Sequence, residues 1–345
     1  MKLKERIFRA AAATNLNYVV ANSDWRRKRL LILCYHGVSE QDEHVWNPSL
    51  YVTPKFLNER LMWLRRQNFV ILPLPQALDQ LRDGNLPKRS VSVTFDDGTR
   101  DFATRALPVL VSNNVAATLY LTTYYCQYPY PVFDTALAYL LWKGRDSGAD
   151  ISNEAGSSQP LPVAGAAERS HAWKTIQESA CRRQLSGSAK HQLLGAISHR
   201  LGIDFHAFVS SGLFQLMTPE QINSIPADLI HVELHTHRHR TPRDQPAFER
   251  ELLDNQQAVA ALTGNSAARQ HFCYPSGDYS RQFIFWLRKH GIVSATTCVP
   301  GLASPASNPL LLPRFIDTMS VSTETFAAWA SGFATFLPGR AETGR

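Results

Sequence analysis

Long apolar runs are missing from this sequence, and so are paired cysteines. No stretch approaches the ~20 apolar residues of a transmembrane helix, so the sequence predicts no membrane-spanning segment. The five cysteines are scattered and contain no CxxC pair. This pattern suits reduced, mostly buried thiols in a cytoplasmic protein better than a disulfide framework. Asparagines at positions 15, 17 and 22 interrupt any apolar core of a secretory signal, and we therefore expect no export signal.

Most of the chain carries almost no net charge. The net charge is +7, but residues 1–29 hold eight Lys or Arg against two acidic residues, which leaves +1 for the rest. A nearly neutral body without a recognisable nucleic-acid module predicts no nucleic-acid partner. Within residues 1–29, one helical face carries apolar residues with basic residues between them. This basic amphipathic arm fits a peripheral helix on an anionic membrane surface, or equally a solvated leader, and both interpretations stay open.

What the chain does contain is an alternation of short apolar runs and helical patterns. This alternation predicts an α/β fold with a mainly parallel sheet in a single domain over residues 30–325. Residues 129–226 break the rhythm, and we interpret them as a helical insertion that either covers the mouth of a site or serves only in packing. Residues 326–345 are assigned to a C-terminal tail.

The segment "SVSVTFDDGTRDF" (90–102) ends a buried strand on two adjacent carboxylates, Asp96 and Asp97. Like charges near a core repel, and each must find a partner or take up a proton. A bound cation would resolve this conflict. The pair therefore raises the question of whether the chain supplies further ligands.

A histidine cluster at the end of another strand offers those ligands. "VELHTHRH" (232–239) places His235, His237 and His239 just beyond the strand. Strand alternation would put all three on one face, whereas a turn after Thr236 would bring His235 and His239 together. Zinc accepts imidazole and carboxylate ligands, and a catalytic zinc site typically has three protein ligands plus water. One carboxylate of the aspartate pair and two histidines would complete such a set.

The two motifs together resemble the NodB-type polysaccharide deacetylases, carbohydrate esterase family 4. "TFDDG" and "HTHRH" match the first two motifs of that family in full and in order, and "HFCYPSGDY" (271–279) is similar to its third. "LCYHGVS", "ATLYLTT" and "LLLPRF" are comparable to segments of the exopolysaccharide-biosynthesis branch. The resemblance covers roughly residues 30–320. It implies a distorted (β/α) barrel with the catalytic groups at the carboxyl ends of the strands.

The resemblance also implies residue roles. Asp97, His235 and His239 would bind the metal, and Asp96 would be the general base. The backbone N–H of Ser276 would stabilise the oxyanion. Tyr274 would line the sugar pocket, although ordinary core packing explains it equally well.

The sequence departs from the family pattern at two places. Cys273 stands where many members have an arginine that orients the base; Arg314 in "LPRF" could replace that arginine, and a purely structural salt bridge is the alternative. The late Leu-x-His motif, which supplies the general acid, is missing, because no histidine follows His290. His36 in "CYHG" is the preferred replacement, with a locally hydrogen-bonded strand-end histidine as its alternative. His237 is the second candidate, and it could also contact substrate.

The sequence therefore predicts a zinc-dependent hydrolase, with another divalent transition metal as an option. It would remove N-acetyl groups from N-acetylhexosamine units of a polysaccharide or of its oligosaccharide or lipid-linked precursor. Its location would be cytoplasmic, at the inner face of the membrane if the arm binds there. Two alternatives remain: an O-acetyl carbohydrate esterase, which needs less help from an acid, and a catalytically inactive carbohydrate-binding homologue, against which the intact Asp96 argues. The oligomeric state is left open.

Overall fold

A computed structural model describes residues 3–265, 267 and 269–337 of the chain. These residues fall into two compact units. The first unit joins the N-terminal part up to residue 124 to the part that starts at residue 219, and it contains the sheet. The second unit covers residues 125–218 and overlaps most of the predicted insertion, residues 129–226.

The first unit is built on a curled parallel sheet with the strand order β10-β1-β5-β6-β7-β8-β9, and β4 pairs with β5. Every pairing within this sheet is parallel, as the sequence predicted. A separate parallel pair is formed by β2 and β3. The strands are β1 (Leu31–Tyr35), β2 (Gly37–Val38), β3 (Tyr51–Val52), β4 (Val70–Ile71), β5 (Ser90–Phe95), β6 (Ala117–Leu121), β7 (Ile230–Leu234), β8 (His271–Cys273), β9 (Ser294–Thr296) and β10 (Phe315–Ile316).

Helices follow most strands along the chain. They are α1 (Leu3–Ala13), α2 (Leu16–Ala21), α3 (Asp24–Arg27), α4 (Glu43–Trp46), α5 (Pro54–Arg66), α6 (Leu74–Arg82), α7 (Leu107–Ser112), α8 (Phe133–Lys143), α9 (Ser152–Ala155), α10 (Ala166–Arg182), α11 (Gly187–Arg200), α12 (Phe205–Ser211), α13 (Pro219–Asn223), α14 (Gln245–Thr263), α15 (Arg281–Lys289) and α16 (Thr323–Ser331). Short turns of other helix types occur at Phe102–Ala106, Tyr124–Gln127, Pro275–Gly277 and Phe333–Phe336.

Local sequence explains why these elements form where they do. All residues of β1, β5 and β6 are buried, as expected for central parallel strands covered on both faces. Helix α5 begins at Pro54, where the Thr53 side chain accepts a hydrogen bond from the Phe56 N–H at 3.1 Å and Pro54 occupies the first turn. Strand structure is interrupted between Tyr35, where β1 ends, and Gly37, where β2 starts. The interruption leaves His36 at the carboxyl end of the sheet.

The basic N-terminal segment forms α1, α2 and α3 within the first unit. Phe8 and Ala11 of α1 are buried, and Phe8 packs in a cluster with Ala328 and Ala334. Arg26 is fully buried and donates hydrogen bonds to the carbonyls of Ala330, Arg29 and Ser90. The division into an arm, a deacetylase domain and a tail stays a prediction, and residues 338–345 of the predicted tail lie outside the described residues.

The second unit is helical and contains α8 to α12. Helix α8 contributes apolar side chains to the interior of this unit, with Leu137, Leu140 and Leu141 fully buried. Asp150 organises the connection to α10, because its Oδ1 accepts the N–H groups of Ser152 and Leu161 at 2.9 Å each. Among the helices that the structure describes, none is both long enough and apolar enough to cross a bilayer.

Candidate active site

The two adjacent aspartates leave the end of β5 in different directions. Asp96 continues the strand, and its N–H donates to the Tyr35 carbonyl of β1 at 3.0 Å. Asp97 then adopts a positive φ of 73° and Gly98 one of 79°, so that the chain reverses sharply. A positive φ is uncommon for a residue with a side chain, and aspartate is one of the few that tolerate it. This turn points the two carboxylates at different partners.

Asp97 lies against two histidines. Its Oδ1 is 3.2 Å from Nε2 of His235 and 3.2 Å from Nε2 of His239. His235 directly follows β7, and a positive φ of 61° at Thr236 turns the chain so that His239 returns to the same point. The Thr236 hydroxyl accepts the N–H of Arg240 at 3.0 Å and supports this turn. The predicted turn after Thr236 therefore exists.

The expectation that strand alternation places three histidines on one face is wrong. Strand β7 ends at Leu234, before the first of them. His237 points elsewhere, with its Nδ1 2.8 Å from the hydroxyl of Thr123 and its ring edge-on to Tyr124. His237 is therefore not part of the Asp97 cluster, and the structure places it beside the end of β6.

The donor set of Asp97, His235 and His239 fits a divalent metal. Its three donor atoms lie within 4.8 Å of one another. Nδ1 of His235 is 2.9 Å from the Cys273 carbonyl, a contact in which it donates and leaves Nε2 as the ligand atom. Asp97 remains 29% exposed at its side chain, so the cluster is open to solvent on one side. Two imidazoles, one carboxylate and an open side match what catalytic zinc requires.

Asp96 is held by an arginine. Arg314 donates from Nη1 to Oδ1 and from Nη2 to Oδ2 of Asp96, both at 2.7 Å, and both side chains are buried. Burial alone would raise the pKa of Asp96, but the Arg314 guanidinium outweighs it and holds that pKa well below the usual range. Asp96 is therefore a carboxylate at neutral pH.

Three other side chains surround the same carboxylate. Nε2 of His36 lies 3.6 Å from Oδ2 of Asp96, and the thiols of Cys34 and Cys273 donate to that oxygen at 3.6 and 3.5 Å. Asp96 also belongs to two groups whose donor atoms are as close together as those of metal ligands. One group contains Cys34 and His36, and the other contains His235 and Cys273. Arg314 already neutralises Asp96 in both groups, and a second cation there would be repelled. The Asp97 cluster is therefore the better metal site.

Two predicted residues follow β8. Ser276 has a positive φ of 56° inside the turn Pro275–Gly277, next to the strand that carries Cys273. Tyr274 is fully buried, and its hydroxyl donates to the Leu310 carbonyl at 2.9 Å. Its ring packs against Phe272, Tyr279 and Phe283. The structure thus corrects the assignment of Tyr274 to a sugar pocket, because a buried ring with a satisfied hydroxyl cannot line one.

Sequence reasoning missed two residues of α14 that hold the histidine loop. Asn255 is fully buried; its Oδ1 accepts the His235 N–H at 2.9 Å, and its Nδ2 donates to the Leu121 carbonyl and the Thr123 hydroxyl. One turn earlier, the Glu251 carbonyl accepts the His237 N–H, and its carboxylate accepts the Arg238 N–H at 2.7 Å. The one available signal is that Asn255 falls on the apolar face of α14, with Phe248, Leu252 and Val259.

Several known proteins are similar to this chain in sequence or in fold. The sequence profile of the family described as "polysaccharide deacetylase" matches residues 83–295, which is more than half of the chain. The chain belongs to this family. The match begins before the aspartate pair and extends past β8, so it includes the Asp97 cluster.

Curated relatives match this member of the family over shorter stretches. The poly-β-1,6-N-acetyl-D-glucosamine N-deacetylase of Escherichia coli K12 is 30% identical over 93 residues, 27% of this chain and 14% of that protein. The Staphylococcus epidermidis protein of the same name is 28% identical over 130 residues, 32% of this chain and 44% of the relative. The aligned parts thus cover less than half of either relative.

Solved structures of deacetylases show the same fold. The Streptococcus pyogenes deacetylase PplD aligns with a TM-score of 0.57 and 16% identity, over 90% of this chain and 99% of that chain. IcaB from Ammonifex degensii aligns with a TM-score of 0.55 and 19% identity, over 88% and 97% of the two chains. The predicted fold, a curled parallel sheet of the NodB deacetylase type, is therefore confirmed.

Proposed function

We propose that this polysaccharide deacetylase homologue is a metal-dependent hydrolase that removes N-acetyl groups from N-acetylhexosamine units of a glycan. One observation carries the proposal: Asp97, His235 and His239 converge, while the neighbouring Asp96 is kept ionised beside them by Arg314. A ligand set and a separate base are the two components that hydrolysis of an amide requires.

The cluster of Asp97, His235 and His239 would hold zinc or another divalent transition metal. A metal in this position supplies Lewis-acid polarisation of the acetyl carbonyl and lowers the pKa of a bound water. Asp96 would accept the proton of the attacking water, and Arg314 fixes the carboxylate in a single orientation through its two hydrogen bonds. Arg314 thereby takes the role for which many family members use an arginine in the third motif.

Two further groups complete the proposed reaction. The backbone N–H of Ser276 donates to the developing oxyanion from the loop after β8. His36 protonates the amine that leaves, because it lies at the carboxyl end of β1 with Nε2 3.6 Å from Asp96. Proton transfer between the two groups needs a shorter approach than this or one bridging water, and by either route His36 would receive the proton that Asp96 removed from water. His237, which hydrogen-bonds Thr123 outside the cluster, is assigned neither role.

The proposed substrate is based on the names of the curated relatives. Both curated proteins are named for poly-β-1,6-N-acetyl-D-glucosamine, and we propose the same type of sugar unit here, in a polymer or in its oligosaccharide or lipid-linked precursor. We also propose action at the inner face of a membrane, which the exposed basic residues Lys4, Arg6 and Arg9 of α1 support, although Phe8 and Ala11 of the same helix pack on the protein.

Acetate release tests this proposal. The purified chain is incubated with N-acetylated and with O-acetylated glucosamine oligosaccharides, alongside an Asp96→Asn variant. We expect release from the N-acetylated substrate, reduced at least about 100-fold by Asp96→Asn, because a general base contributes about that much or more. Release from the O-acetylated substrate alone would reassign the protein as an esterase, and unchanged turnover in Asp96→Asn would exclude Asp96 as the base.

A further inference from the structure

A large groove lies beside α1, and the residues that line it do not include those of the Asp97 cluster. It has a volume of about 1080 Å³ and is formed by residues of the first unit only. We call it the α1 groove and define it by Leu3, Phe8, Trp25, Leu302, Val321 and Trp329. This volume is at the upper end of the range for small-molecule sites.

Most residues that line the α1 groove are aliphatic or aromatic, and Ser320, Thr325 and Thr335 add polar groups. Leu3 is 72% exposed although it lines the groove. Phe336, which is tilted against Trp25 of the lining with ring centroids 4.7 Å apart, is 57% exposed. Exposed apolar side chains around an apolar groove mark a ligand or interaction site more often than chance placement does. The aromatic rings alone would also suit a saccharide, but a hydrocarbon chain needs the aliphatic wall that the leucine and valine side chains of this groove provide.

The loop after β9 contacts both the groove and the candidate active site. Val299 of this loop lines the groove, and its carbonyl accepts the backbone N–H of Arg314 at 3.0 Å. The preceding residue, Cys298, has its Sγ 3.9 Å from Nη2 of Arg314, which binds Asp96. A ligand whose sugar reaches Asp96 would have to cross this loop for its other end to enter the groove.

Charge at the groove fits an anionic linker. Lys4 and Arg29 lie on the wall together with one acidic residue, Glu5. The guanidinium of Arg29 is 4.1 Å from the centre of the Trp25 ring. These basic side chains would attract a phosphate that joins a saccharide to a hydrocarbon chain.

We infer that the α1 groove binds the hydrocarbon chain of a lipid-linked acetylated saccharide. This inference rests on the proposed deacetylase function and names its substrate class. The sugar occupies the site at Asp96, the linker lies near Lys4 and Arg29, and the chain lies against the apolar wall of the groove.

Paired glycosides test the inference. The kcat/KM for acetate release is compared between the methyl and octyl glycosides of one N-acetylglucosamine oligosaccharide, below the micelle concentration of the octyl compound. Each methylene removed from water is worth about fourfold in affinity. We therefore expect the octyl glycoside to be favoured at least about tenfold.

A matched pair of variants locates the effect. Val321→Asp places a carboxylate in the groove, and Val293→Asp places one on an exposed valine elsewhere on the surface. The octyl-to-methyl ratio should fall to about one in Val321→Asp and stay unchanged in Val293→Asp. Because the ratio is taken within each protein, partial misfolding does not change it. Equal rates for the two glycosides in the wild type, or a preference that survives Val321→Asp, would overturn the inference.

Direct binding separates failure of this inference from failure of the proposed function. Trp25 and Trp329 line the groove, so titration with the octyl glycoside should change tryptophan fluorescence, and the methyl glycoside should not. A fluorescence change without acetate release would refute the deacetylase proposal and leave the groove assignment standing. If tryptophan fluorescence did not change with the octyl glycoside, the inference that the groove binds a hydrocarbon chain would be refuted. If only binding to anionic phospholipid vesicles were lost in Val321→Asp, the groove would hold membrane lipid and the inference would be wrong.

Discussion

Two neighbouring aspartates with identical side chains have different chemistry because one backbone turn separates them. Asp96 remains on the axis of β5 and pairs with Arg314, whereas Asp97 leaves through a positive φ and contacts His235 and His239. The family resemblance implied this division of roles. It also offered Arg314 as the residue that orients Asp96, with a purely structural salt bridge as the alternative, and the 218 positions between the two residues gave no means of choosing between them.

His36 provides a prediction at the residue scale. An amine leaves poorly without a proton, whereas an alkoxide leaves more easily. His36→Gln should therefore lower acetate release from an N-acetylated oligosaccharide at least about 100-fold, as expected for loss of a general acid, and affect an O-acetyl ester much less. Comparison of kcat for the two substrates in wild type and variant measures this. Equal losses on both substrates would show that His36 is not the acid.

At the scale of the element, helix α14 holds the loop that carries His235, His237 and His239. The metal site depends on this support as well as on the ligands themselves. Asn255 and Glu251, one turn apart, accept the N–H groups of His235, His237 and Arg238. Sequence patterns give the periodicity of such a helix but not the polar contacts of a single buried amide. The sequence alone therefore could not predict that Asn255 supports the histidine loop.

Loss of the Asn255 amide should weaken metal binding. Asn255→Leu keeps the side-chain volume but leaves the His235 N–H and the Leu121 carbonyl without a partner. We expect zinc affinity, measured by competition with a chelator, to fall about 10- to 100-fold, the usual effect of losing such a supporting contact. Gln257→Leu, on the exposed face of the same helix, is the control. Unchanged affinity in Asn255→Leu would show that α14 does not position the ligands.

Asp101 should make stability depend on pH. Burial raises the pKa of Asp101 to about 7, although its carboxylate accepts hydrogen bonds from Thr99 and from the Val38 N–H. An unfolded carboxyl loses its proton near pH 4. Between about pH 4 and pH 7 the folded state therefore binds more protons, and raising the pH destabilises it by as much as about 4 kcal/mol.

The substitution Asp101→Asn isolates this effect. The amide oxygen can still accept the Val38 N–H, but the side chain no longer ionises. The loss of unfolding free energy between pH 5 and pH 8, measured by urea denaturation, should be smaller in Asp101→Asn than in the wild type. An identical loss in both proteins would contradict burial of an ionisable Asp101.

At the scale of the whole molecule, the curled parallel sheet brings the site together. The carboxyl ends of β1, β5, β7 and β8 deliver His36, the aspartates, His235 and the Ser276 turn. Alternation of apolar runs with helical patterns predicted this architecture, because parallel strands need a crossover after each strand. The packing of the N-terminal helices could not be predicted, since their amphipathic pattern fits a membrane surface and a protein surface equally well.

Arg26 tests whether those helices belong to the folded core. It is buried and donates to carbonyls of Ala330, Arg29 and Ser90, so Arg26→Met would leave these acceptors without their partner. We expect the free energy of unfolding to fall by at least about 2 kcal/mol. Arg27→Met, an exposed neighbour, should have little effect. Equal stability of both variants would mean that the N-terminal segment is not packed as described.

The central claim is that three side chains hold one catalytic metal beside an ionised base. The direct measurement is acetate release by chelator-treated protein as zinc is added back. Activity should be lost after chelation, return in proportion to zinc and saturate at about one zinc per chain, and a His239→Ala variant should not recover at the same concentrations. Full activity in the zinc-free protein would contradict the account.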